Sequence, residues 1–298
     1  MAQAVADIGA HLIIEHPVVA DPTDFKGLPF AVNGEADFLP FGSLRQIIAA
    51  TEPTVYFLDD LGQSTQAVQA ACMQLLLARR VNGHKVSEMV TFIAATNRRT
   101  DRAGVQGLLE PVKSRFATIL TLEPDLDDWV SWAIRHRMPT ELIAFVRFRP
   151  NMLSDFRPTA DLINTPCPRT IANVGRLLIM GIPGGLEYPV IAGAAGEGLA
   201  AEFIGFLAVY RKLPHPNVIL MNPDKANVPK DPATLYALCG ALAAMASGQT
   251  ADRLFKYYNR LPAEFSVLAV RDSVNRDREI VNTRAFIRWA SEHADVLI

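Results

Sequence analysis

The strongest constraint on this fold is a set of short segments in the first half of the chain that are apolar from end to end. Residues 54–60 read TVYFLDD, β-branched and aromatic until they stop at two acids. Residues 90–96 (VTFIAAT) form a second such run, followed by Asn97, and residues 117–122 (ATILTL) form a third. A shorter run, residues 12–19, comes before them and is bounded by Asp21 and Pro22. A strand with one face in water alternates apolar and polar residues, whereas a strand buried on both faces does not. Between the runs, residues 41–51 and 65–80 have helical spacing, with Val68, Cys72, Leu75 and Leu76 as the apolar stripe of the longer one. Apolar strands separated by helices predict a parallel sheet covered on both faces, an α/β architecture. Asn82-Gly83 marks a tight hairpin turn ahead of the second run.

Beyond about residue 124 the strand signal fades and helical segments follow one another to the end. Residues 125–136 open with acids and close with basic residues, which suits the helix dipole. The helix expected from residue 168 has Pro at its start. Residues 214–232 are rich in proline and turn formers and read as a connecting segment. The division expected is an α/β core over 1–124, a helical lid over 125–213 and a helical C-terminal extension over 214–298.

Half of the 298 residues are apolar and 20% are charged, which excludes disorder as the dominant state. A net charge of −2 leaves no basic footprint spread over the whole protein, so nucleic acid is not indicated as a partner. Cys72, Cys167 and Cys239 lie far apart and support neither a disulfide framework nor a CxxC metal knuckle. The six histidines form no HExxH. The apolar stretch 235–247 is too short for a bilayer, and Glu197 and Glu202 interrupt the longer one at 190–209. The first residues carry an acid and no basic start, so a signal peptide is not expected and a reducing cytoplasm is.

The candidate chemistry lies where the apolar runs stop. Asp59 and Asp60 follow a buried strand, at the end where open α/β sheets bind ligands. One carboxylate there suits Mg²⁺ held through water, and a second suits the orientation of an attacking water. Alone, such a pair equally suits a turn or a helix cap. Asn97 ends the next strand, where an amide can position water or a γ-phosphate, or simply form a turn. Arg115 precedes the third apolar run, and Arg169 stands at a helix start, against the dipole.

Taken in order, these features resemble the AAA+ ATPases, and among them the MoxR-like branch of bacteria and phages. The resemblance covers residues 10–180 and includes the segments DPTDFKGLPF and RRVNGHKVSE. It implies that Asp59 and Asp60 are the Walker B pair, with Asp59 the metal-side residue and Asp60 the catalytic one. It likewise makes Asn97 the first sensor, Arg115 the arginine finger and Arg169 the second sensor. The cofactors implied are ATP and Mg²⁺. The assembly implied is a ring homo-oligomer, typically a hexamer, that remodels a protein partner; a protein with a von Willebrand factor A domain is a frequent companion of the branch.

Two departures qualify this. The branch usually carries Glu where this chain has Asp60, whose reach is one methylene shorter. No GxxxxGK[ST] phosphate loop is present, and the glycine-rich GIPGGLEY at residues 181–188 lacks the Lys and the Ser or Thr. The alternative reading is therefore a non-catalytic subunit that lends Arg115 to a neighbour. A receiver-like phosphoacceptor would need a further strand-end Asp and a strand-end Lys, and neither is found in a suitable place. In the family the phosphate loop joins a first strand to a first helix, so the expectation is that the strand and the loop precede Met1 in a longer reading frame and that the chain starts inside the helix. Sequencing the DNA upstream of that codon tests this: an in-frame apolar strand followed by a Gly-Lys-Ser or Gly-Lys-Thr loop is expected. An in-frame stop there would favour the non-catalytic subunit.

Overall fold

The computed structural model describes residues 1–101, 107–159 and 161–293, with the side chains of Val32 and Arg99 left aside. The chain divides into two compact units, Met1–Thr121 and Leu122–Ile298.

The first unit is built on a three-stranded parallel sheet. After helix α1 (Ala2–Asp7) comes strand β1 (His11–Glu15), and then helix α2 (Pro22–Lys26). Asp21 caps α2 with a reciprocal capping box, accepting from Thr23 N while Asp24 accepts from Asp21 N. Strands β2 (Leu28–Val32) and β3 (Glu35–Leu39) form an antiparallel hairpin. Its turn, Asn33-Gly34, has φ of 53° and 86°, the left-handed pair that a two-residue hairpin demands. Sequence reasoning did not find this hairpin, because β3 is exposed on both faces and carries no burial pattern. Gly27 makes its base possible: a Cβ there would meet the Leu39 carbonyl oxygen at 2.9 Å, and its φ is +89°.

Helix α3 (Gly42–Ala49) leads to β4 (Thr54–Leu58), and helix α4 (Gln66–Ala78) follows. The short strands β5 (Arg80–Val81) and β6 (His84–Lys85) form the hairpin expected at Asn82-Gly83. Strand β7 (Val90–Ala94) and the one-turn helix α5 (Glu110–Lys113) close the unit. The strand order is β1-β4-β7, all parallel, as the apolar runs predict. All five residues of β4 are buried. One face of the sheet, with Ile13, Tyr56, Leu58 and Val90, packs on Phe25, Leu44, Ile47, Val68, Cys72 and Leu75. The other face is thinly covered, with Val5 of α1 against Val55 and Phe57.

The third apolar run differs from expectation. Residues 117–122 are not a strand, and Ile119, Leu120 and Leu122 are 69%, 82% and 97% exposed. The described sheet ends at β7, and this run does not pair with the open edge of that strand. An extended segment without ladder hydrogen bonds or a covered face has no reason to order as a strand.

Among the described residues the second unit is helical. Its first five helices are α6 (Leu126–Arg135), α7 (Thr140–Phe148), α8 (Pro168–Met180), α9 (Glu187–Ala195) and α10 (Glu197–Tyr210). Then follow α11 (Pro216–Met221), α12 (Pro232–Ala243), α13 (Ala251–Tyr258), α14 (Ala263–Arg276) and α15 (Arg284–Glu292). The segment read as a plain connector, 214–232, thus contains α11. The helices bury two apolar clusters, one around Phe145, Phe203 and Phe206 and one around Tyr258, Phe255 and Trp289, with Leu213 packed against both.

A buried ion pair holds this unit together across long sequence separation. Arg147 of α7 forms a two-pronged pair with Asp272 of α14; Nη2 donates to Oδ1 at 2.6 Å and Nη1 to Oδ2. The side chains are 5% and 3% exposed. Arg276 lies close to this pair; burial lowers its pKa, while Asp272 pushes it back up. Removing one partner strands a buried charge, so Asp272→Ala should cost about 3–5 kcal/mol in urea unfolding. The Arg147→Met/Asp272→Leu double variant should recover most of that loss. A single-variant cost under about 1 kcal/mol would show that the pair is not a structural tie.

Candidate functional site

The parallel register decides which side chains meet. Leu58 is opposite Glu15 on one flank and Ala94 on the other, so all three strands end at the same edge. The sequence leaves that edge as Glu15-His16, Asp59-Asp60 and Thr96-Asn97. Asp59 N donates to Glu15 O at 2.9 Å, and Ala95 N to Leu58 O at 2.9 Å, which extends the ladder to the brink of the site.

Asp60 turns the chain. Its backbone is left-handed, φ 57° and ψ 36°, and it leads into a short 3₁₀ turn, Leu61–Gln63. Leu61 N then donates to Ala95 O at 3.0 Å, pinning the turn to the end of β7. In this position the Asp60 carboxylate Oδ1 accepts from Gln63 Nε2 at 2.9 Å and from Asn97 Nδ2 at 3.4 Å. Thr96 Oγ1 lies 3.5 Å from Gln63 Oε1. The Asp59 side chain is 38% exposed, with His16 Nδ1 at 3.9 Å from its Oδ2. Asp59, Asp60 and Asn97 are therefore brought to one edge of one sheet. His16, Gln63 and Thr96 join them and were missed by sequence reasoning; proximity to the strand ends was their only signal.

Behind this edge sits a second polar group. Ser43 Oγ donates to Glu15 Oε2 and lies 3.2 Å from Tyr56 OH, which is 3.5 Å from the same Glu15 oxygen. Burial raises the Tyr56 pKa well above its ordinary value, and Glu15 adds to the rise. Burial likewise pushes the Cys72 thiol up to about 12, again with Glu15 contributing. Both groups stay neutral donors at neutral pH, and neither is poised as a nucleophile.

The two arginines singled out from sequence are differently placed. Arg115 is half-buried and bonded within its own unit: Nε donates to Met73 O at 3.0 Å and Nη1 to Pro111 O. It forms no ion pair among the described residues. Arg169 is exposed in the first turn of α8, in the second unit, and makes no side-chain hydrogen bond or ion pair among the described residues. The glycine-rich residues 181–188 connect α8 to α9, helix to helix, which is not the strand-to-helix turn of a phosphate loop. Among the described residues, no three His, Cys, Asp or Glu side chains are grouped so as to hold a metal ion by themselves.

No family model and no curated sequence matches the chain. Among solved structures, it is similar to NtrX from Brucella abortus at 12% identity, with a TM-score of 0.35. That likeness covers 89% of this chain, which spans 58% of the other. It is too remote to carry any residue across. No helix among the described residues is long and apolar enough to cross a membrane.

Left-handed backbone costs a non-glycine residue on the order of 1 kcal/mol, though Asp tolerates it better than most. If Asp60 is kept for chemistry, removing its Cβ should not harm the fold. Asp60→Gly should therefore unfold at the same denaturant concentration as the parent chain or a higher one, by up to about 1 kcal/mol. A loss larger than that would make Asp60 a structural turn residue.

Proposed function

We propose that this chain carries the hydrolytic side of a magnesium–nucleoside triphosphate site of the AAA+ kind, in a MoxR-like remodelling ATPase. The observation that carries the reading is the meeting of Asp60 and Asn97 at the ends of adjacent parallel strands, with Asp59 beside them. An acid pair alone suits a turn. An acid pair whose second member shares a hydrogen bond with a strand-end amide 37 residues on suits the handling of a water molecule.

The residues fit part of such a site. Asp59 is partly exposed and forms no ion pair with Lys or Arg among the described residues, His16 Nδ1 lying 3.9 Å away, so its carboxylate is open to a hydrated Mg²⁺. Bound there, the ion would neutralise charge on the phosphates. Asp60 would accept a hydrogen bond from the attacking water and take its proton. Asn97, donating to the same carboxylate, would fix that carboxylate's orientation and offer its amide to the water. Aspartate reaches less far than glutamate, so this base works at a longer distance and turnover is expected to be slow.

The phosphate-holding half does not fit. The described residues offer no glycine-rich strand-to-helix loop with a lysine, so tight nucleotide binding by these 298 residues alone is not expected. This favours a second reading, in which the chain is an interaction subunit and Arg115 serves a neighbour's nucleotide. For that, Arg115 must leave the Met73 and Pro111 carbonyls. A ring assembly with Arg169 as second sensor, and a von Willebrand factor A domain partner, belong to the first reading.

Manganese, as a paramagnetic stand-in for Mg²⁺, tests the site directly. In the 298-residue chain, Mn²⁺ should broaden the amide resonances of residues 15–16, 59–60 and 96–97 before others, and Asp59→Asn should abolish that selectivity. ATP should not tighten the binding appreciably in this chain. Broadening centred elsewhere, or unchanged in Asp59→Asn, would overturn the assignment.

A further inference from the structure

The second unit contains a groove that the acid-pair chemistry does not use. It has a volume of about 620 Å³ and is lined by the end of α10, the loop after it, α11, residues 225–229 and the start of α12. Its floor is aliphatic: Val209, Leu213, Ile219 and Leu238, with Ile219 and Leu238 3% and 1% exposed. A volume in this range takes a small organic ligand.

The polar atoms at its mouth are not randomly chosen. Lys212 and Lys225 both line it, both are exposed, and neither has an ion-pair or hydrogen-bond partner for its ammonium among the described residues. The amides of Asn222 and Asn227 line it too, and no side-chain partner engages them. No carboxylate lines the groove. Two acids adjoin the lining in sequence: Asp224, exposed beside Lys225, and Asp231, which is occupied as the cap of α12, accepting from Thr234 N at 2.8 Å and from its hydroxyl. That bonding holds its pKa below the ordinary carboxylate value. Arg211, next to Lys212, is already neutralised by Glu187, with Nη1 3.0 Å from Oε2.

The walls are set in advance. Pro214, Pro216, Pro223, Pro229 and Pro232 punctuate the segment that forms them. Each fixes its own φ and narrows the choices of the residue before it. A groove whose backbone is restrained loses less entropy on binding than a flexible loop.

We propose that this groove binds an amphiphilic aliphatic carboxylate, its chain on Leu213, Ile219 and Leu238 and its head group between Lys212 and Lys225. Two unpaired ammonium groups over an aliphatic floor complement that chemistry: the tail is desolvated and the charge is met at the mouth. The inference is independent of the reading given to Asp59 and Asp60.

Titration calorimetry with decanoate, decan-1-ol and acetate, each below its aggregation concentration, tests it. Decanoate should bind at least about tenfold more tightly than either of the others, since only it uses both floor and mouth. Its binding should shift the methyl resonances of Val209, Val218, Ile219 and Leu238. The Lys212→Gln/Lys225→Gln variant should lower decanoate affinity to that of decan-1-ol while leaving the alcohol unaffected. These lysines are solvent-exposed, so the thermal midpoint should not move. Equal affinity for decanoate and decan-1-ol, an unchanged double variant, or shifts centred elsewhere would overturn the proposal, as would binding of an acidic apolar peptide in the groove with no binding of decanoate.

Discussion

The parallel pairing of β4 on both of its flanks is the constraint from which the candidate site follows. A strand buried along its whole length must hydrogen-bond on either side, because no water reaches its backbone. Parallel neighbours then force every strand to end at the same edge and every connection to cross back over a face. Glu15, Leu58 and Ala94 are aligned by that register, so the residues that follow each of them must converge. Asp60 and Asn97 are far apart in sequence, yet their meeting needs nothing more than two strands in register and a turn. The turn is supplied by the left-handed backbone at Asp60, and Leu61 N on Ala95 O keeps it in place.

The two faces of the sheet are not equally provided for. One packs on α2, α3, α4 and α5 and on Val81 of the second hairpin, with Phe25, Leu44, Ile47 and Leu75 fully buried. The other has α1, six residues long, and among the described residues its buried cluster is Val5, Val55 and Phe57. The outer strand feels this difference: only Val90 of β7 is buried, although its sequence is as apolar as that of β4. Its start is partly shielded by Arg79, whose Nη2 donates to the carbonyls of Ser87 and Val90 while the guanidinium lies over the Phe92 ring. A cation laid along a strand edge discourages further pairing at that end. Among the described residues the remainder of β7 has no comparable cover, and residues 117–122 lie exposed without pairing to it.

What was legible in the sequence was whatever depends on local pattern. Residues 54–58 and 90–94 read as buried strands because β-branched and aromatic residues run through them without a polar break. The turn at Asn82-Gly83 read as a hairpin because that dipeptide takes positive φ cheaply. The equivalent pair at Asn33-Gly34 was overlooked, since Pro29, Asp37 and two exposed strand faces obscure any burial pattern. Composition could not separate residues 117–122 from a real strand: strand formation needs a neighbour, and a neighbour is not a property of the segment. The left-handed turn at Asp60 and the Asp60–Asn97 hydrogen bond are likewise products of the tertiary register. The Arg147–Asp272 pair joins residues 125 apart, where no spacing rule operates.

The second unit makes the same point through its charges. Arg147 is paired with Asp272, Arg149 with Glu202, Arg211 with Glu187 and Arg271 with Asp127. Of these only the first is buried, and there the desolvation of both ions is offset by two hydrogen bonds rather than by attraction alone. The others lie at the surface, where an ion pair adds little stability, so their pairing reflects opportunity. Other cations of this unit, Arg169 among them, have no ion-pair partner among the described residues. At the groove beside α11, Lys212 and Lys225 have no ion-pair partner among the described residues: the lining contains no carboxylate, Asp224 lies outside it, and Asp231 is spent on its helix cap. The lining thus carries two ammonium groups and no carboxylate over an aliphatic floor, in a chain whose net charge is −2. A whole-chain charge count hides such a place, since it depends on which acids the fold has already used.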